Sequence, residues 1–226
     1  MARLEGFLPI WETSGRVIHG HNAWHLAVAL LDGLEFDRAD TVFREHIWGV
    51  NPDTPGEQID AISYLWRVEM AGGEVTDTVW ADVADHVEER VGECVFPFLS
   101  AHHGFALARA GRTDALATLR ATVQQRTDRD DAEASRVWRP IGVPVVDACI
   151  AHGSGNLAGA AVLLDPVIGE MTAVGGSDAQ DDLFRLAYLT ALAGSGRTDD
   201  ARRWWETMTS FKALSPLDER LRATVG

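Results

Sequence analysis

Lysine is almost missing from this chain. Of its 20 basic residues only Lys212 is a lysine, so Schiff-base chemistry has one candidate nucleophile. That residue lies in the polar stretch "SFKALSPLDE", a poor setting for catalytic burial. Cysteine is scarce as well. Cys94 and Cys149 form no CxxC pair and no zinc-ligand spacing, and their apolar contexts "ECVFPF" and "VVDACIA" read as buried, reduced thiols. No apolar run approaches the ~18 residues of a membrane span. The opening "MARLEGFLPIWETSG" lacks the basic start and unbroken apolar core of a secretion signal, so the expected location is cytoplasmic. No segment alternates Val, Ile and Thr as a strand does. Phosphate-binding loops, dinucleotide fingerprints and GxSxG elbows are absent too.

Positive charge is outweighed throughout. The formal net charge is −14 at neutral pH and the isoelectric point is near 4.9. Nucleic acid and anionic membrane are therefore excluded as partners, since phosphate binding runs on clustered Lys and Arg. A chain of 226 residues with 46% hydrophobic residues can bury a core without a disulfide or a metal.

What is abundant is a recurring phrase. It reads "DGLEFDRADTVF", "GGEVTDTVWADV", "AGRTDALATL", "SGNLAGAAVLL" and "SGRTDDARRWW". Anchored on Gly33, Gly73, Gly111, Gly155 and Gly196, the copies are 40, 38, 44 and 41 residues apart. Each follows an apolar stretch with a Gly suited to a left-handed helix cap, and most supply a Thr or Asp to start the next helix. Repeats of this length mean stacked helical hairpins.

The expected fold is therefore all-α: a helical-hairpin repeat superhelix, a tetratricopeptide-like α-solenoid. It fills residues 1–226 as one domain of about five degenerate hairpins. About eleven helices are expected, near 22–32, 36–47, 58–72, 77–91, 96–110, 113–126, 140–152, 157–172, 178–194, 198–209 and 215–223. Loops are expected at 49–58 and 126–135. Pro140 and Pro144 mark a helix start with a kink.

Several motifs carry candidate chemistry. In "GHNAWHLAVALL", His21, Asn22, Trp24 and His25 crowd five positions. Asn22 after Gly20 reads as an N-cap, which would leave His21 outside the helix and weaken any shared metal geometry with His25. In "IDAISYLWRVEM", Asp60, Ser63 and Arg67 share one helix face, with Asp60 and Arg67 the simplest charge pair. In "LSAHHGFALA", His102 and His103 point about 100° apart, so one of them alone faces a groove. His46 and His86 read as outer-face residues, and His152 as a helix C-terminal cation. In "VGGSDAQDDLF", Ser177 and Gln180 have the spacing of a capping box. No metal or cofactor is expected.

The phrases "HNAWHLAVALLDGLEFDRADTVFREHI", "IDAISYLWRVEMAGGEV", "IGVPVVDACIAHGSG", "VGGSDAQDDLF" and "LSPLDERL" resemble, in order and spacing, the tetratricopeptide repeat protein 38 family. The resemblance runs from about Gly6 to Arg222 and implies an α-helical repeat superhelix without a secure activity. Family members are longer, and this chain resembles their C-terminal half. An exposed apolar end on such a half-solenoid implies a homodimer or a covering partner. Leu99 and Ser100 stand where relatives carry Asn-Asp, His102 matches the family His, and Asp181 stands where they carry Arg.

Two functions follow as expectations. The first is an interaction or scaffold protein that binds a peptide or partner protein in a concave groove. The alternative is an enzyme or small-molecule binder whose pocket gathers His21, His25, Asp60, Arg67 and His102.

Overall fold

Five turns share one backbone signature. The computed structural model describes residues 6–11 and 15–225, so part of the N-terminal stretch read above for a signal lies outside the described residues. In each turn one residue takes a left-handed conformation: Leu34, Gly72, Gly111, Gly155 and Gly196. The next residue donates its N–H five positions back. These bonds are Glu35 to Leu30, Gly73 to Val68, Arg112 to Leu107, Asn156 to Ala151 and Arg197 to Leu192, all at 2.8–3.0 Å. The left-handed residue itself donates three positions back, at 2.8–3.1 Å. This pair of bonds is the Schellman closure of a helix C-terminus. The repeat seen in the sequence is thus a repeat of one cap. Two anchors move by a residue: Gly33 keeps a right-handed φ of −83° while Leu34 turns, and Gly72 turns instead of Gly73.

The described residues are helical with no strand. In chain order the helices are α1 (Leu8–Trp11), α2 (Arg16–Asp32), α3 (Phe36–Val42), α4 (Pro55–Met70), α5 (Asp77–Glu88), α6 (Pro97–Arg109), α7 (Thr113–Thr127), α8 (Val143–Gly153), α9 (Leu157–Leu164), α10 (Asp178–Gly194), α11 (Thr198–Thr209) and α12 (Pro216–Thr224). Wider π turns continue α3 over Phe43–Ile47 and lead into α8 over Ala134–Gly142. All eleven expected helices are present, and α1 is additional. Several differ in extent; α4, for instance, starts at Pro55, inside the loop expected over 49–58. The helix expected from 22 starts at Arg16. The one expected from 140 is preceded by a π turn that holds Pro140 in its interior. The one expected over 157–172 stops at Leu164, because Pro166 cannot continue it, and resumes as a 3₁₀ segment over Ile168–Ala173.

The chain forms two compact units, 1–75 with 205–226, and 76–204. In the first, α2 packs on α3, α4 and α12. Its core includes Trp24, Leu30, Leu31, Phe43, Ile62, Tyr64 and Trp66. In the second, α6 packs on α5, α7 and α8, while α9 joins α8 to α10. Trp80, Phe98, Phe105, Trp138 and Phe184 fill it.

Each unit has one helix buried along nearly its whole length. In α4 every residue from Gln58 to Val68 is buried, and in α6 every residue from Pro97 to Ala108. Both begin with proline in the first turn, where its missing N–H costs nothing. A helix buried all round has no solvent face for its polar residues. Asp60, Ser63 and Arg67 on α4, and Ser100, His102 and His103 on α6, are therefore taken out of water.

Candidate functional site

The polar residues of α4 meet the ring cluster of α2. Because α2 begins at Arg16, Asn22 lies inside it and does not cap it; the N-cap position is Gly15, which forms no side-chain cap. This corrects the expected helix start. His21 and His25 therefore do sit one turn apart on a single helical face. Their ring centroids are 4.9 Å apart and nearly perpendicular. Both rest on Trp24: His21 stacks on the indole at 5.5 Å, and His25 meets it edge-on at 4.7 Å. Trp24 is fully buried, and its Nε1 has no hydrogen-bond partner among the described residues.

Asp60 anchors the cluster from below. His21 Nδ1 lies 3.2 Å from both oxygens of its carboxylate. Asp60 is only 5% exposed, while the His21 side chain is 39% exposed and His25 is exposed. Oriented in this way, His21 turns its Nδ1 inward and has Nε2 left for an outside partner. Asp60 and Arg67 interact through their charges, and each also has a hydrogen-bond partner of its own. Asp60 takes His21, whereas Arg67 Nη1 donates to the Ser63 hydroxyl and, at 3.3 Å, to its backbone carbonyl. The Arg67 guanidinium also lies over the Trp24 ring at 5.4 Å. Ser63 lies within one turn of Arg67 on α4, and Asp60 lies seven positions before it.

These contacts pull the two imidazoles in opposite directions. The hydrogen bond to Asp60 raises His21 above its ordinary 6.5, with burial opposing and the charge of Asp60 assisting. Burial lowers His25, and the neighbouring His21 lowers it further. Burial also holds the Asp60 carboxyl above the usual carboxylate range, against the pull of His21, His25 and Arg67. The raised His21 favours its charged form beside Asp60, whereas the raised Asp60 reflects the cost of burying its own charge.

A second clamp holds the loop that precedes α4. The Glu57 carboxylate accepts the backbone N–H groups of Gly49, Val50 and Asn51 at 2.8, 3.0 and 2.6 Å. Gly49 has a φ of +87°, which lets three successive N–H groups converge as an anion nest. Sequence reading missed this contact, although an acidic residue in the first turn after "GVNPDTP" was visible.

The remaining candidates lie in the other unit. His102 is fully buried, donates its Nδ1–H to Phe98 O at 2.8 Å, and touches the rings of Phe98 and Phe184. His103, expected to point elsewhere, is fully buried as well, because α6 has no open side. Neither of its ring nitrogens has a partner among the described residues, and burial, then the charges of His102 and Arg90, press it down to about 3. Gln180 Oε1 accepts the Ser177 backbone N–H at 2.9 Å, completing the capping box expected at the start of α10. Asp181 is 1% exposed. Two further expectations are corrected. His152 does lie in the last turn of α8 but is not a cation there: burial lowers it to about 4, and it hydrogen-bonds Thr190 at 3.0 Å. His46 is not on an outer face, for it meets His19 at 3.1 Å.

No group of three or more His, Cys, Asp or Glu side chains among the described residues is placed to hold a metal ion. Among the same residues no helix is long and apolar enough to cross a membrane. Both cysteines are unpaired thiols, and burial raises each above its ordinary value. No family model and no solved structure matches the chain.

Proposed function

We propose that this chain is a helical-hairpin recognition protein that binds a peptide or partner protein at the His21–His25 cluster. In this reading the hairpins build a superhelix of the kind found in the tetratricopeptide repeat protein 38 family. The observation that carries the site is the Asp60 carboxylate on His21 Nδ1, because it commits Nε2 to an outside partner. That nitrogen donates to an oxygen acceptor of the ligand, a carbonyl or a carboxylate. His25 flanks it, and the buried Trp24 keeps both rings in place.

The reading includes self-association. Phe7, Ile10 and Ile18, near the start of the described chain, are 38%, 56% and 57% exposed, an apolar face suited to a second copy. Light scattering at micromolar concentration would return a dimer mass; a strictly monomeric mass removes that part. For the site, short peptides with a free terminal carboxylate and their amidated forms serve as probes. Wild-type protein should show the His21 and His25 ring resonances moving with the carboxylate form, and His21→Gln should not bind it. If neither set of peptides moves either ring, the site assignment fails.

A further inference from the structure

We propose that the same two imidazoles form a general acid–base pair that hydrolyses small esters, with His21 the proton donor, His25 the acceptor and Asp60 a positioning residue. The proposal rests on the binding reading in one respect, that an oxygen of the ligand sits at His21 Nε2. Its geometric basis is independent of any ligand. Two ring systems stand 4.9 Å apart on one helical face, both reach solvent, and among the described residues only His21 has a carboxylate hydrogen-bonded to it. A carboxylate on the far nitrogen fixes the tautomer of an imidazole and favours its protonated form. Among the described residues no carboxylate is hydrogen-bonded to His25, and burial favours its neutral ring.

Neighbouring groups reinforce the division of labour. Facing His21 are Asp60 and His25; facing His25 are His21, Asp60 and Arg67. Asp60 holds a proton on His21, while burial first, and then the charges of His21 and Arg67, keep one off His25 against the pull of Asp60. A pair of titratable groups driven apart by their surroundings is the arrangement that acid–base catalysis requires.

The reaction balances without any co-reactant but water. His25 takes a proton from water as the water oxygen bonds to the ester carbonyl carbon, giving a tetrahedral intermediate. Collapse restores the carbonyl and breaks the bond to the alkoxy oxygen, which receives the proton from His21 Nε2. The products are a carboxylic acid and an alcohol. His25 ends protonated and His21 neutral, and exchange with solvent resets both. Nothing is oxidised or reduced.

The test uses the full chain with two probes, phenyl acetate, whose leaving group needs a proton, and 4-nitrophenyl acetate, whose leaving group does not. Wild-type protein should hydrolyse phenyl acetate about a hundredfold faster than His25→Gln. The rate should rise with pH through the His25 titration and fall through that of His21. Asp60→Asn should slow phenyl acetate more than 4-nitrophenyl acetate and move the alkaline limb to lower pH, which a purely structural role would not do. Circular dichroism confirms that each variant is folded; His25 is exposed, so its replacement leaves the core intact. Equal rates for wild type, His21→Gln and His25→Gln on both esters overturn the proposal. If acetate shifts the His21 resonance in such a protein, binding stands and catalysis alone fails. If acetate shifts nothing, both fail.

Discussion

The two central helices, α4 and α6, solve the same problem in opposite ways. Each is buried over nearly its whole length and carries polar side chains. On α4 those side chains face one another and the rings of α2: Asp60 binds His21, and Arg67 binds Ser63 while lying over Trp24. On α6, His102 turns to its own backbone, and neither nitrogen of His103 has a partner among the described residues. The lesson concerns histidine. Of His21 and His103, only His21, with a buried carboxylate beside it, is driven toward its charged form. A buried histidine without such a partner is held neutral and acts as packing.

The comparison can be broken first by size. Replacing Phe184, which touches both Phe98 and His102, with alanine should cost about 3–5 kcal/mol if α6 is a packing helix. A loss below about 1 kcal/mol in chemical denaturation would mean that this core is loose. Gly153→Ala should cost about 1–3 kcal/mol, because a Cβ there would stand 2.6 Å from the Phe105 carbonyl oxygen, a backbone atom that cannot swing aside.

Acid should separate the two regions next. His103 and His152 have folded values of about 3 and about 4, below the ordinary 6.5. The unfolded chain therefore takes up their protons first, and the stability they contribute is present above 6.5 and lost as pH falls toward 4 and 3. His21 has the opposite sign. Its raised value adds stability below 6.5 that is lost as pH rises through the folded value. Amide exchange at pH 7 and pH 5 should show protection falling around α6 and α8 while α2 and α4 hold. A uniform fall would contradict the assignment. His103→Leu should be neutral or stabilising by about 1 kcal/mol at pH 7 and should flatten that acid loss.

The smallest expected effect separates the hairpin turns. Leu34 takes the left-handed position, with φ at 57°, where the other four turns use glycine. Leu34→Gly should gain less than about 1 kcal/mol in thermal unfolding, the relief of backbone strain set against greater freedom in the unfolded chain.

The helices were legible because four of the five turns are written locally, as a glycine one to three residues before a helix-starting Thr or Asn. Where the local signal was absent, the reading slipped. The first turn of α2 has no side-chain cap, so Asn22 looked like the earliest start signal although the helix was already underway. The π turn over Ala134–Gly142 grows out of an acidic segment that reads as loop. The site was legible only as a set of residues. All of His21, Trp24, His25, Asp60, Ser63 and Arg67 were picked out, yet the pairing of Asp60 crosses 39 positions. Helical periodicity orders side chains within one helix and says nothing about which face meets which. The loss of solvent from both α6 histidines has the same origin, since a helix buried on all sides cannot be told from a half-buried one by spacing alone.

The central claim is that Asp60 sets His21 and His25 apart, and NMR titration of the two imidazoles tests it directly. In wild-type protein His21 should titrate above 6.5 and His25 below it, and Asp60→Asn should bring His21 down while His25 stays low. Two histidines titrating together near 6.5, and unmoved by Asp60→Asn, would contradict the account.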